Sequence, residues 1–160
     1  MIQMKVQGLT LDASTNSPIV ILSEQEGSRS VPIWIGLLEA TAIASELENI
    51  SFSRPMTHDL FINTLRAAGW SIMRVEIVDI RDNTFFAYLH LHSQERSLIK
   101  IDARPSDAIA LSLRAGVPIF MARHILEAKL IPSQPEPDSQ EKWREILESM
   151  APEDFGKYKM

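Results

Sequence analysis

Two stretches of this 160-residue chain gather most of the side chains able to do polar chemistry. Residues 53–69 read "SRPMTHDLFINTLRAAG" and residues 102–116 read "DARPSDAIALSLRAG". Each holds Arg-Pro, a hydroxyl residue, an Asp and an apolar helical pattern closing on Leu-Arg-Ala and glycine. In the first, Pro55 disfavours helix at Arg54, so this arginine sits in extended chain just ahead of a helix start. Thr57, His58 and Asp59 crowd that start, where free backbone N–H groups attract anions; with Arg54 and His58 they would suit a phosphate. The same residues also satisfy plain capping chemistry, with Thr57 as N-cap, Asp59 complementing the dipole and His58 on the surface.

In the second stretch, Asp102 and Arg104 end a strand two residues apart, so their side chains can share a face. Pro105 fixes the exit, and Ser106, as expected cap, opens a helix with Asp107. Asp102 and Asp107 could converge on a divalent ion such as Mg²⁺ or Mn²⁺, which takes oxygen ligands and often few carboxylates. An Asp102–Arg104 ion pair beside an ordinary cap accounts for the same residues. Glu39 follows "PIWIG" in the first turn of another helix, as a dipole complement or a further ligand. His90 and His92 stand two apart on a strand, a spacing that can chelate zinc, but exposed sheet positions explain them better.

The elements that must position these groups follow from periodicity. Apolar residues alternate from Ile2 to Leu11, with a bulge expected at Gly8. "IVILSE" and "RSVPIWI" return as strands of an antiparallel meander. "GLLEATAIASELEN" is a helix with Ala40, Ile43, Ala44 and Leu47 on one stripe, its alanines permitting close approach of a neighbour. "WSIMRVEIVDI", "TFFAYLHLHS" and "SLIKIDA" form a second strand series, with Met73, Val75 and Ile77 on one face of the first. Phe85, Ala87, Leu89 and Leu91 share one face of the second. "VPIFMA" reads as a short edge strand. Strands and helices come in runs, so the fold class is α+β, with mainly antiparallel sheet, packed helices and a C-terminal helical tail. Residues 1–130 make the domain; 131–160 are a proline-bearing linker and an amphipathic helix, "EKWREILESM".

A hydrophobic content of 45% supports a real core. The chain has no cysteine, which rules out disulfides and thiolate metal sites. No apolar stretch is long enough to span a bilayer and no signal-peptide pattern opens the chain, so a cytoplasmic protein without membrane contact is expected. Net charge is −5, from 21 acidic and 16 basic residues, which disfavours a broad basic surface for nucleic acid but leaves a local cationic patch open. Phosphate-binding glycine loops, nucleophile elbows and zinc-helix motifs are absent.

"VPIWIGLLEATAIASEL", "SRPMTHDLFINTLRAAGW", "TFFAYLHL" and "IDARPSDAIALSLRAGVPIF" occur here in one order. Together, over residues 1–130, they resemble the bifunctional nuclease domain family of bacterial and plant proteins with DNase and RNase activity. The first Arg-Pro block has Ser53 where the family pattern has a proline. The resemblance implies a nuclease, a homo-oligomer and nucleic acid as substrate. By motif it carries over to Glu39, Arg54, Thr57, His58, Asp59, Asp102, Arg104, Ser106 and Asp107. On that expectation Asp102, Asp107 and Glu39 or Asp59 would hold the ion. His58 would move protons near neutral pH, and Arg54 and Arg104 would neutralise phosphate. The competing expectation is a non-catalytic oligomeric or regulatory module in which both Arg-Pro blocks are structural corners.

Overall fold

The structure, a computed structural model, describes residues 1–95 and 98–128, the backbone of Ile131–Pro132, and Glu145 and Ser149. Three strands open the chain: β1 (Ile2–Leu11), β2 (Pro18–Glu24) and β3 (Arg29–Trp34), paired as an antiparallel meander. The β1–β2 register slips between Val6 and Gly8, the bulge expected there. Two helices follow, α1 (Leu37–Leu47) and α2 (Thr57–Ala67). A second antiparallel series then runs β4 (Trp70–Arg81), β5 (Thr84–Ser93) and β6 (Ile99–Ala103). Its first hairpin turns on Asp82 and Asn83, both at positive φ (48° and 59°), the conformation a two-residue turn between twisted strands requires.

After β6 comes α3 (Pro105–Ala115), then β7 (Ile119–Met121), α4 (Arg123–Ala128) and a two-residue β8 (Ile131–Pro132). α3 lies across β5 and β4 and delivers β7 beside β4, in parallel with it. The result among the described residues is one mixed, mostly antiparallel sheet in the order β6-β5-β4-β7-β1-β2-β3-β8, the α+β class expected. The "VPIFMA" segment is therefore not an edge strand: β7 joins the two halves of the sheet, between β4 and β1. Pro118 is tolerated because it stands just ahead of β7, where only its carbonyl is used, accepting from the Val75 N–H at 3.0 Å.

The core lies between this sheet and the helices. Val75, Ile77, Ala87, Leu89 and Leu91 face Ile62 of α2 and Ala108, Ile109 and Leu111 of α3, all buried. Ala40 and Ala44 of α1 and Ala108 and Ala110 of α3 are fully buried or nearly so, and α3 packs against both α1 and α2. Met73 does not join this core. A bulge between Ile72 and Arg74 turns it outward, 46% exposed, and buries Ile72 instead. Of the expected tail helix over 141–150, Glu145 and Ser149 are helical and the rest lies outside the described residues.

Candidate active site

The starts of α1, α2 and α3 meet. Neither α2 nor α3 begins on the hydroxyl cap expected of it. The N-cap of α2 is Met56, with Thr57 already in the first turn and exposed. Asp59 does the satisfying there, accepting the Met56 backbone N–H at 2.9 Å. The N-cap of α3 is Arg104, because Pro105 fits the first helical position, where no N–H is needed. Ser106 consequently falls inside the helix and is buried.

His58 reaches from α2 to α3, its Nε2 lying 3.0 Å from Oδ1 of Asp107. Arg104 donates from Nε to Oδ2 of Asp107 and from Nη1 to Oε1 of Glu39 on α1, each at 2.8 Å. Glu39 bends back over the start of its own helix: a Cβ built on Gly36 would lie 2.2 Å from its Oε2. Glycine at 36 thus leaves room for the carboxylate to meet Arg104. The His58 ring is half-buried, with 18% side-chain exposure, whereas Arg104 keeps 65%. Burial works against ionisation of Asp107, but the hydrogen bonds from Arg104 and His58 outweigh it and hold its carboxyl below the usual range. The same pairing, Asp107 first and then Glu39, raises the Arg104 guanidinium further above its ordinary value.

Asp59 belongs to a second junction just behind the first. Its Oδ1 accepts from Nε of Arg114 at 2.8 Å. Arg114 also donates to the carbonyls of Ala42 on α1 and of Ala110 on its own helix, and to Ser45 Oγ. Its side chain is 6% exposed and ties all three helices together. Burial raises the Asp59 pKa, but the Met56 and Arg114 hydrogen bonds more than reverse this and leave it low. Arg114 is not among the residues that type and spacing single out in the sequence. The signal was the Leu-Arg-Ala shared by both blocks, whose other arginine, Arg66, is exposed.

The remaining candidates stand apart from this junction. Asp102 pairs with Tyr88, and both alternate with Ile101, Ala103, Ala87 and Leu89, which lie on the helix side of the strands. It therefore projects from the opposite face of the sheet to the one carrying α3, and bonds neither Arg104 nor Asp107. Arg54 is exposed in the loop before α2. His90 is 5% exposed rather than on an open sheet surface, with Nε2 2.8 Å from Glu76, while His92 is exposed. Among the described residues, no three His, Cys, Asp or Glu side chains are gathered to hold a metal. Between Glu39 and Asp107, the position a cation would take is filled by the Arg104 guanidinium. These residues as arranged do not fit a resident divalent ion.

Residues 20–134 match the bifunctional nuclease domain. An uncharacterized protein of Mycobacterium tuberculosis (strain CDC 1551 / Oshkosh) is 39% identical over 163 residues, covering 96% of this chain and 97% of that one. Bifunctional nuclease 1 of Oryza sativa subsp. indica is 26% identical over 71% of this chain, which spans 35% of the rice protein. Bifunctional nuclease 2 of Arabidopsis thaliana is 23% identical over 69% of this chain and 34% of its own length. The chain belongs to the bifunctional nuclease domain family, and the Arg-Pro blocks that meet at the helix starts lie within the matched region. Among the described residues no helix is long and apolar enough to cross a membrane.

Proposed function

We propose that the chain is a nuclease that hydrolyses phosphodiester bonds at the junction of His58, Arg104 and Asp107. The observation that carries this reading is the hydrogen-bonded series His58–Asp107–Arg104, joining residues from both Arg-Pro blocks. With Asp107 ionised, its carboxylate accepts from His58 Nε2–H, which fixes the neutral tautomer with Nδ1 unprotonated. Nδ1 then takes a proton from water as its oxygen bonds to phosphorus. The P–O ester bond breaks, and the imidazolium returns the proton to the leaving oxygen. Arg104 commits two of its five N–H donors to Asp107 and Glu39, leaving three for the non-bridging phosphate oxygens. Arg54 is a second phosphate contact, and Thr57 and Ser106 line the helix starts. Asp59 acts by positioning α2 through Arg114, and Asp102 has no step.

The test is nucleic-acid digestion by protein purified from a host free of contaminating nuclease. Loss of a general base or of its orienting carboxylate costs on the order of 10²–10⁴-fold in rate. His58→Ala and Asp107→Asn are expected to fall by that much while retaining the native circular dichroism spectrum. Undiminished digestion by either variant defeats the assignment. Parallel assays with EDTA, and with Mg²⁺ or Mn²⁺ restored, read whether an ion arriving with the phosphates is needed.

The second reading is a non-catalytic module, favoured by one observation: Arg114 and Asp59 make the first Arg-Pro block a structural corner. It requires Asp107→Asn to lower the melting temperature as strongly as Asp59→Asn does. An unchanged melt for Asp107→Asn, together with lost digestion, excludes it.

A further inference from the structure

The strand β3 ends on an aromatic side chain that the fold leaves open: Trp34 is 55% exposed. Its ring is nonetheless held. Nε1–H of the indole donates to Oδ2 of Asp12 at 2.9 Å. The other oxygen of that carboxylate, Oδ1, accepts from the Ser14 N–H, the Ser14 hydroxyl and the Thr15 N–H. A hydrogen-bonded turn between β1 and β2 thus fixes one edge of the indole. Beside Trp34 is a cavity of about 400 Å³, lined by Pro32 and Trp34 of β3 and by Ile80, Asn83 and Phe85 of the β4–β5 hairpin. Small-molecule clefts of about 300–1,000 Å³ share this make-up, apolar and aromatic walls with few polar groups. Ile80 and Phe85 also pack against the core, which makes that wall of the slot firm.

The slot adjoins the junction of the helix starts. Trp34 stands two residues before Gly36, about 7 Å of chain at most. Gly36 in turn lies against the Glu39 carboxylate that holds Arg104. Leu37 and Leu38, both more than half exposed, add apolar surface between Gly36 and Glu39. We propose that the slot takes one unpaired base of a single-stranded nucleic acid, stacked on the Trp34 indole, while a neighbouring phosphate meets Arg104.

The identity of the ligand rests on the nuclease reading of the junction: a strand with its phosphate at Arg104 must place flanking bases nearby, and Trp34 is an aromatic surface within reach. Every base has a π-face, so stacking tolerates any sequence. A ring already fixed by Asp12 loses little freedom on binding. Bases inside a duplex are stacked on one another and must first be pulled out, so the slot favours unpaired strands. With a net charge of −5, stacking also supplies affinity that a broad basic surface does not.

Fluorescence anisotropy tests this, with a labelled thymidylate strand of about eight nucleotides titrated with the full chain. The His58→Ala background keeps the strand uncut. That parent is expected to bind, and adding Trp34→Ala to raise the dissociation constant about ten-fold or more. Trp34→Phe is expected to recover most of the loss. An abasic strand of equal length, and the same strand annealed to its complement, are expected to compete at least about ten-fold less well. In the active chain, Trp34→Ala is expected to raise KM and leave kcat unchanged, since the stacked base is held alike before and during reaction. No binding by the parent, unchanged binding by Trp34→Ala, or equal competition by the abasic strand overturns the slot. So does a Trp34→Phe variant as weak as Trp34→Ala. The two sites fail separately. A strand bound through Trp34 by a chain that digests nothing upholds the slot and sinks the nuclease; digestion indifferent to Trp34→Ala does the reverse.

Discussion

Arg66 and Arg114 occupy the same place in two Leu-Arg-Ala repeats and live in different physical worlds. Arg66 is exposed, while Arg114 is buried and bound to α1, α2 and its own helix. Removing Arg114 strands the half-buried Asp59 carboxylate and two backbone carbonyls, those of Ala42 and Ala110. Arg114→Ala is therefore expected to cost about 2–4 kcal/mol in urea unfolding, whereas Arg66→Ala stays within about 0.5 kcal/mol. Equal effects would mean that the three-helix junction contributes nothing to stability. The difference was not legible in the sequence, because periodicity marks which apolar residues go inside and is silent on a buried cation. His58 and Asp107 were legible as residue types at helix starts; that they touch depends on how α2 crosses α3. Thr57 and Ser106 were misplaced as caps for a local reason: Asp59 and Pro105 already meet the needs of those two starts.

Among the elements, the long strands and the three long helices could be read directly, since each carries enough turns or alternations to declare its period. β7 could not be placed. Three residues, Ile-Phe-Met, hold too little pattern to choose between edge and centre, and a preceding proline argues for an edge. Its central position follows from the crossover of α3, which returns the chain over β5 and β4. Exchange of amide hydrogens checks this at low protein concentration. The amides of Ile119–Met121, flanked by β4 and β1, are expected among the slowest of the sheet. The outward amides of Ile99–Ala103 are expected among its fastest. Rapid exchange throughout β7 would contradict its place between the two halves. Asp102 belongs to the same lesson: two residues separate it from Pro105, and the turn at that proline sends the chain to the other side of the sheet.

For the whole molecule, two of the acidic groups at the helix junctions link stability to pH. Asp59 and Asp107 are both held below the usual carboxylate range in the folded chain. A folded-state pKa below the unfolded one stabilises fully above the unfolded value and is lost as pH falls through the lowered one. The melting temperature is therefore expected to decline as the pH drops from about 4, and Asp59→Asn to flatten that decline. An acid limb identical to the wild type would remove Asp59 from the linkage. One consequence concerns how the molecule comes into being. Arg104 finds Glu39 across 65 positions of chain, and Asp107 finds His58 across 49. Such contacts close large loops and form late, after the local turns and hairpins of each half. On the ribosome, no first half of this chain can hold the His58–Asp107 pair, because the aspartate has not yet been added. The constellation therefore arises only once residue 107 has been added and has left the ribosome, a built-in delay between the start of synthesis and any chemistry at that junction.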